Sequence, residues 1–343
     1  MFMSKITYMF GAGASRNALP TVKEIPSRLK NLINFLNKEK LQLSTEETFE
    51  DTGLENLKSK KFYQKELIND LQWLLDISSK HASVDTFARK LSIIGDSKNL
   101  KKLKVVLSVF FTFEQIIKQP DERYDSFFAS LYNENGELPE NIRILSWNYD
   151  SQFELSYLQY SRSRDISMIQ SALNINHKYG NNHERDRFGI YKLNGTTGLR
   201  RYTGYEYVHY GYTKSLNVEI DINIVNEIIK SYTVGIFSRN IKSVFSFAWE
   251  TESYEKSIIK MAREATEDSI ALVVIGYSFP IFNRNTDREI IGAMKNLKRV
   301  YFQAPDAEIL IERFKAIKND IKEKDIELIP KYDLEQFVIP YEL

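Results

Sequence analysis

The sequence predicts an α/β fold in which a parallel sheet carries helices on both faces and holds a large helical insertion after its first strand. Three observations support this prediction. Short apolar segments alternate with helical ones along much of the chain, as is typical of parallel sheets. The first apolar segment, Ile6–Phe10, ends abruptly in a glycine-rich turn. The next clear strand, Ile142–Leu145, follows only after a long helical region.

The region between these two strands is predicted to be helical. From Ile25 to Leu36, apolar residues recur three and four positions apart, as on one face of a helix. Ser83 is placed to cap the N-terminus of a further helix, and Leu103–Ile117 is predicted to be a long, mostly buried one. We therefore assign residues 21–137 to a helical insertion.

Strand signals return later in the chain at Gly189–Leu193, Ile270–Ile275 and Val300–Gln303. Together with the first strands they predict an α/β core made of residues 1–20 and 138–343. The Tyr-rich segment Arg200–Lys214 nearly alternates in polarity, which favours a strand or hairpin with one apolar face over a base-stacking surface.

Composition excludes several classes of function. Lys and Arg total 47 against 46 Asp and Glu, and this balance argues against direct binding of nucleic acid. The chain has no cysteine, so disulfides, thiolate nucleophiles and cysteine-ligated zinc are impossible, and we expect no metal site. The N-terminal residues lack a signal-peptide pattern, and the most apolar stretches fall short of the roughly 18–20 residues that cross a bilayer. We expect a cytoplasmic protein without membrane contact.

The turn Gly11-Ala12-Gly13-Ala14-Ser15 is the first candidate site. Small residues let backbone N–H groups approach a pyrophosphate, and the start of a following helix adds a favourable dipole. Any tight turn from a strand into a helix also favours glycine, so a purely structural role is the alternative.

Four further strands end in glycine or short polar residues, at Ser146–Asp150, Tyr191–Thr196, Val274–Phe279 and Val300–Gln303. The carboxyl ends of parallel strands meet at one edge of the sheet, where α/β folds bind their ligands. Asn and Asp are also ordinary turn and cap residues, which is the alternative for each motif alone. Five such strand ends in one chain favour a single binding site.

Taken in order, GAGAS, SWNYD, KLNG and GYSF, followed by a last strand with a polar tip, resemble the motifs of the sirtuin-like proteins. The resemblance is closest to the bacterial branch found in anti-phage defence systems, whose members hydrolyse NAD and often partner a HerA-type ATPase. It implies a Rossmann-like, sirtuin-like core with a helical insertion after the first strand, and it implies NAD as substrate or ligand.

The resemblance also implies roles for single residues. Asn148 falls on the catalytic Asn that holds the nicotinamide ribose and the attacking water, and Asp150 falls on the acidic residue that contacts the nicotinamide carboxamide. Ser278 matches a serine near the phosphate or adenosine ribose, and Gln303 stands near an Asn that binds the adenosine ribose. The implied cofactor-binding positions are Gly11, Ala12, Gly13, Ser15, Gly276, Ser278 and Gln303.

One position departs from the family. The family has a general-base His before the glycine of its third motif, whereas this chain has Asn194, which cannot take up a proton at neutral pH. Loss of a positioned base typically slows a reaction by around 10²–10⁴-fold, so hydrolysis remains feasible. For each histidine we expect an ordinary surface or hydrogen-bonded role, and a substitute base is the alternative. The four are His81, His177, His183 and His209, of which His177 and His183, in an Asn-rich loop, are the better candidates.

We therefore expect an NAD hydrolase that cleaves the nicotinamide–ribose bond to ADP-ribose and nicotinamide and depletes NAD during phage infection. Its expected catalytic residues are Asn148, Asp150 and Asn194. The resemblance further implies a homo-oligomer and a HerA-type ATPase partner. The alternative is a catalytically silent module that binds NAD or a related nucleotide and regulates or scaffolds that ATPase. The resemblance also excludes deacetylation of acetyl-lysine, because the sirtuin deacetylases carry a four-Cys zinc module and the general-base His. This chain has no cysteine and has Asn194 in place of the His.

Overall fold

A computed structural model describes residues 5–163, 165–177, 184–201, 207–208, 220–239, 241–250, 257–318 and 325–343. The chain forms two compact units. Residues 1–16, 120–195 and 247–343 form the first, which we call the α/β unit, and residues 17–119 and 196–246 form the second, which we call the helical unit.

The strands among the described residues are β1 (Lys5–Phe10), β2 (Ile142–Ser146), β3 (Ile175–His177), β4 (Gly189–Lys192), β5 (Leu199–Arg201), β6 (Tyr207–Val208), β7 (Ile241–Ser243), β8 (Ser269–Ile275), β9 (Arg299–Gln303) and β10 (Glu327–Lys331). The helices are α1 (Ile25–Leu36), α2 (Lys60–Lys80), α3 (Val84–Ile93), α4 (Ser97–Ile117), α5 (Glu122–Leu131), α6 (Gln152–Tyr157), α7 (Ile166–Ala172), α8 (Ile222–Phe237), α9 (Ile258–Thr266), α10 (Arg284–Ala293) and α11 (Ala307–Lys315). Within the described ranges no helix is both long and apolar enough to span a membrane.

The α/β unit is built on a seven-stranded sheet with the order β10-β9-β8-β1-β2-β4-β3, in which every pairing is parallel. This confirms the predicted Rossmann-like α/β fold and its five predicted strands. The edge strands β3 and β10 were not predicted. From β1 the chain continues to β2 on one side, and from β8 it continues to β9 on the other, so the topological switch point lies between β1 and β8. Ligands of open α/β sheets bind outside the carboxyl ends of the strands at such a point.

Strand register aligns the carboxyl ends of all seven strands in one row. Phe10 pairs with Ser146 on one side and with Ile275 on the other. Paired residues point to the same face of a sheet. The row continues outward on both sides, and in spatial order it comprises Lys331, Gln303, Ile275, Phe10, Ser146, Lys192 and His177.

The two faces of the sheet are buried by different side chains, because successive residues of a strand alternate between them. Phe10 points to the face that carries α5 and α6, where its ring meets those of Phe127 and Phe153 edge-on. Met9 belongs to the cluster on the other face, which includes Ala262 of α9 and Ile290 of α10. Burial of β1 on both faces explains its continuous apolar sequence.

The helical unit contains α1 to α4 and α8, together with a small antiparallel sheet of order β6-β5-β7. Ser83 caps α3 by accepting a hydrogen bond from the N–H of Thr86, which confirms the predicted cap. β5 and β6 pair through Leu199 and Val208, so part of the Tyr-rich segment forms the hairpin that was predicted. Residues 202–206 and 209–219 of that region lie outside the described residues.

The unit boundaries differ from the expected ones, 1–20 plus 138–343 and 21–137. Residues 120–137, which include α5, belong to the α/β unit, because Phe127 packs on the rings of Tyr8 and Phe10 in β1. Residues 196–246 belong to the helical unit, because α8 packs against α2 and α4. A hydrogen bond of 2.7 Å from the Tyr232 hydroxyl to Asp70 ties α8 to α2.

Candidate functional site

The glycine turn after β1 packs against the turn after β8. The N–H of Gly11 donates to the Ile275 carbonyl and the N–H of Gly13 to the Gly276 carbonyl, each at 3.0 Å. These two N–H groups therefore bind protein, not a ligand, contrary to the expected approach of the turn's amides to a pyrophosphate. Ala12–Ser15 forms a short 3₁₀ turn. A single such turn lacks the aligned peptide dipoles of the α-helix that was expected to start here.

Close backbone approach explains the glycines of both turns. A Cβ atom on Gly11 would lie 2.6 Å from the Cα of Tyr277, and one on Gly13 would lie 2.8 Å from the Cα of Gly276. Gly276 has φ +59°, and a Cβ on it would lie 2.3 Å from the Ala14 nitrogen. The two turns thus close the switch point at its base, and any ligand must lie outside them.

Asn148 connects the carboxyl end of β2 to the glycine turn. Its side-chain amide donates to the Gly11 carbonyl at 3.0 Å and to the Ser15 hydroxyl at 3.2 Å. The side chain is buried, with 7% of its residue surface exposed. Two motifs that lie more than a hundred residues apart in the sequence therefore meet at the place where the parallel sheet predicted a site.

Ser15 is the centre of a chain of buried hydrogen bonds. Its hydroxyl donates to Asp150 at 2.8 Å, so the Tyr124 hydroxyl, also 2.8 Å away, is the donor to Ser15. The other carboxylate oxygen of Asp150 accepts the N–H of Gln152, at the start of α6. Burial raises the pKa of Asp150, while the charge of Lys192 and these hydrogen bonds lower it.

A buried ion pair supports the loop that carries Asp150. Lys192, at the end of β4, donates to the backbone carbonyl of Asp150 and to the Glu154 carboxylate, the latter at 3.2 Å. Both side chains are fully buried. Burial raises the pKa of Glu154 and the charge of Lys192 lowers it. This pair was not predicted from the sequence, although a lysine at the end of an otherwise apolar strand was its signal.

Asn194 presents a single unused polar atom. Its amide nitrogen donates to the Trp147 carbonyl at 3.0 Å, which fixes the orientation of the side chain. Its carbonyl oxygen is buried and has no hydrogen-bond partner among the residues that the structure describes. A buried acceptor left without a donor is costly, so this oxygen is suited to receive a hydroxyl or water.

The histidines weighed as substitute bases lie in different parts of the chain. His177 lies in β3, not in a loop, and its register places it beside Lys192 at the carboxyl edge. It is two strands from β2, or about 10 Å at the usual spacing of a sheet. His81 ends α2 in the helical unit. His183 and His209 lie outside the described residues.

Two residues expected to bind the ligand, Ser278 and Gln303, follow or end the strands on the other side of the switch point. Ser278 is exposed, and its backbone carbonyl accepts a hydrogen bond of 2.6 Å from Arg313. The Gln303 amide donates to the Asp333 carbonyl at 2.6 Å and accepts the N–H of Val338 at 3.1 Å. The Gln303 amide therefore holds the last segment of the chain against the sheet, and its role toward an adenosine ribose stays a prediction.

Helix α5 supports the glycine turn from the side of the Phe10 face. Arg123 donates to the Ala14 carbonyl at 2.8 Å and is held by Asp121 at 2.6 Å. Its guanidinium also lies over the ring of Phe337, 5.0 Å from the centroid. Sequence reasoning missed Arg123 and Tyr124 as site residues, because it assigned this stretch to the helical insertion.

Comparison with known protein families finds none that matches this chain. Comparison with curated proteins likewise finds no significant match.

Proposed function

We propose that this protein is a sirtuin-like NAD hydrolase that cleaves the nicotinamide–ribose bond. The observation that supports the proposal is the hydrogen-bonded group formed by Asn148, Ser15 and Asp150 at the carboxyl edge of β1 and β2. An amide and a carboxyl group fixed beside the switch point suit the recognition of ribose hydroxyls and water.

The chemistry of NAD cleavage makes few demands on acid catalysis. The bond from C1′ to the pyridinium nitrogen breaks with its electron pair going to nicotinamide, which leaves as a neutral molecule. A water oxygen bonds to C1′, one proton passes to solvent, and ADP-ribose results. Positioning of the ribose and the water is then the main contribution of the protein.

In this proposal the polar groups at the carboxyl edge of the sheet have different roles. The Asn148 amide, held by Gly11 and Ser15, lies where it can orient the ribose hydroxyls and the attacking water. The carbonyl oxygen of Asn194, which no described residue contacts with a hydrogen bond, accepts one from a ribose hydroxyl or from that water. Asp150 acts near the nicotinamide end. The lack of a base at position 194 slows the reaction without preventing it.

The biological setting belongs to the same proposal. Uncontrolled NAD hydrolysis would deplete the cell that makes the protein, so activity requires a gate. We propose that the chain works as a homo-oligomer in the cytoplasm, docked on a HerA-type ATPase, and that it hydrolyses NAD during phage infection.

The test is NAD consumption by the purified chain, alone and with its partner ATPase, followed together with ADP-ribose formation. Asn148→Ala is expected to lower turnover by about 10²-fold or more, as removal of a positioned polar group at a reacting centre commonly does. Asn37→Ala, which changes an exposed amide at the end of α1, is the matched control and should leave turnover unchanged. Equal turnover in Asn148→Ala and Asn37→Ala would contradict the proposed site.

A second candidate function is nucleotide binding without hydrolysis, in which the chain regulates or scaffolds the ATPase. Asn194 favours it, because an amide cannot act as the base that the resemblance places there. Calorimetry separates the two functions. NAD binding that Asn148→Ala weakens, with no hydrolysis by the wild type under any activating condition, supports the silent module.

A further inference from the structure

A buried polar cluster lies behind the candidate site, on the opposite face of the sheet from α5 and α6. We call it the Asp287 cluster, and it comprises Trp147, Tyr277, Asn283 and Asp287. Asp287 is completely buried, and none of the other three exposes more than 8% of its surface. The proposed reaction uses no side chain of this cluster.

Hydrogen bonds and ring stacking connect the cluster into one unit. The Tyr277 hydroxyl donates to the Asp287 carboxylate, with distances of 2.8 and 3.0 Å to its two oxygens. The Asn283 amide donates to the Tyr277 hydroxyl at 3.0 Å. The Tyr277 ring stacks on the indole of Trp147, with centroids 5.7 Å apart and planes 8° from parallel.

Trp147 carries the effect of this cluster to the site. It directly precedes Asn148 in the chain. Its backbone N–H donates to the Phe10 carbonyl, and its backbone carbonyl accepts a hydrogen bond from the side-chain amide of Asn194. Tyr277 follows Gly276, whose carbonyl accepts the N–H of Gly13. The stacked rings of Trp147 and Tyr277 therefore fix the backbone at both residues. That backbone positions Asn148, Asn194 and the glycine turn.

Burial of a carboxyl group at position 287 costs free energy. An apolar side chain of similar size would fill it without burying a polar group, and buried polar groups of this kind cost free energy unless their hydrogen bonds are well made. Burial raises the pKa of Asp287 to about 8, while Tyr277 and Trp147 act in the opposite direction. The carboxyl group thus changes its charge close to physiological pH.

We propose that Asp287 is a positioning residue for the hydrolysis proposed above: it fixes the Tyr277 phenol, the stacked rings fix Trp147, and Trp147 fixes the geometry of Asn148 and Asn194. This inference rests on the proposed function for its catalytic consequence. The physical link from Asp287 to Trp147 does not depend on that function.

The charged groups around the cluster leave Asp287 as the titrating group. Tyr277 itself has a pKa raised well above its ordinary value by burial and by Asp287. Lys318 donates to carbonyls near the end of α10, at Ile291 and Met294. The ionisable side chains on α10 and on α9, which packs against it, include Arg284, Arg288, Glu289, Lys260, Arg263 and Glu264.

The first arm of the test uses the ligand-free chain. The indole N–H resonance of Trp147, assigned with Trp147→Phe, is followed by NMR from pH 6 to pH 10. We expect a transition centred near pH 8 in the wild type, and we expect Asp287→Asn to abolish it. Asp306→Asn, which neutralises an exposed carboxylate before α11, is the matched control and should keep the transition.

The second arm measures NAD hydrolysis at pH 7 with the partner ATPase present. Asp287→Ala should lower kcat by about 10-fold or more with KM within threefold, because displacement of a catalytic group by a fraction of an ångström slows chemistry more than binding. Asp287→Asn should stay within threefold of the wild type, since its amide oxygen accepts the Tyr277 hydroxyl as the neutral acid does. Tyr277→Phe keeps the ring and covers the case in which Asp287→Ala fails to fold. It should lower kcat and remove the pH transition.

The two arms separate the inference from the proposed function. Absence of hydrolysis by the wild type, with and without the partner ATPase, would contradict the proposed function, and the Trp147 titration would then decide whether Asp287 controls this loop. Hydrolysis by the wild type, with unchanged kcat in Asp287→Ala and Tyr277→Phe, would overturn the inference alone. A Trp147 resonance without a transition near pH 8, or with one that persists in Asp287→Asn, would overturn it as well.

Discussion

Gly276→Ala tests the close approach of the two turns at the switch point. The added Cβ would lie 2.3 Å from the Ala14 nitrogen and 2.4 Å from the Gly13 carbonyl carbon. Both neighbours are backbone atoms, so no side-chain rotation relieves the overlap and the glycine turn must move. That movement breaks the hydrogen bond of 3.0 Å from Gly13 to Gly276.

The expected loss of stability follows from these contacts. A non-glycine residue at φ +59° costs about 1–2 kcal/mol. Overpacking costs about 1–3 kcal/mol, and the broken hydrogen bond contributes about 1 kcal/mol. Together we expect the free energy of unfolding to fall by about 3–6 kcal/mol, a large share of the stability of an ordinary domain.

Urea unfolding, followed by tryptophan fluorescence, provides the assay, with two control variants in the same unit. Gly136 has φ +73°, and a Cβ on it would meet nothing within 4 Å, so Gly136→Ala should show the backbone cost alone, about 1–2 kcal/mol. Gly292, inside α10, has open space at the same position, and Gly292→Ala should be neutral or stabilising by up to about 1 kcal/mol. A loss in Gly276→Ala no larger than that in Gly136→Ala would refute the close approach.

Two further variants test the chemistry of the site. Burial raises the pKa of Asp150 in the folded state above its value in the unfolded chain. The stability that this carboxyl group contributes is therefore present below the ordinary pKa of aspartate, and it is lost as pH rises through the raised pKa. Relative to Asp150→Asn, the wild type should therefore lose stability over that pH range in urea unfolding, and parallel curves would contradict this. Asn194→His places a base beside the candidate site and should raise NAD hydrolysis by at least about 10-fold in an assay of NAD loss. Unchanged turnover with NAD binding intact would show that position 194 takes no proton from the attacking water.

The parts of the fold that the sequence predicts are those with strong apolar periodicity. The strand β8 is an almost unbroken apolar run, and the structure buries it in the middle of the sheet. The strand β3 has three residues, two of them polar, and β10 is a partly exposed edge strand that contains Pro330. Neither carries a pattern that distinguishes a strand from a loop.

The candidate site was predictable in its location more than in its contacts. The glycine turn and Asn148 meet as the parallel sheet requires. Which group each one contacts depends on packing in three dimensions. The glycines approach the backbone of the β8 turn, and the buried ionisable groups of Lys192 and Asp287 have their partners on other elements of the fold. A charged residue in a sequence is ordinarily assigned to the surface, so hydrophobic pattern does not predict buried ionisable residues.

The hydrogen bond between Ser15 and Tyr124 bears on how this architecture can change in evolution. The chain leaves the α/β unit after Arg16 and returns to it at Pro120, and the two hydroxyls on either side of that excursion lie 2.8 Å apart. Arg123 also connects the two ends of this excursion, because its guanidinium donates to the Ala14 carbonyl. Insertions are tolerated where the two ends of the inserted segment are already adjacent, and the entropic cost of closing a loop grows slowly with its length. Residues 17–119 can therefore change in length without moving the two chain ends at Arg16 and Pro120 that flank the glycine turn.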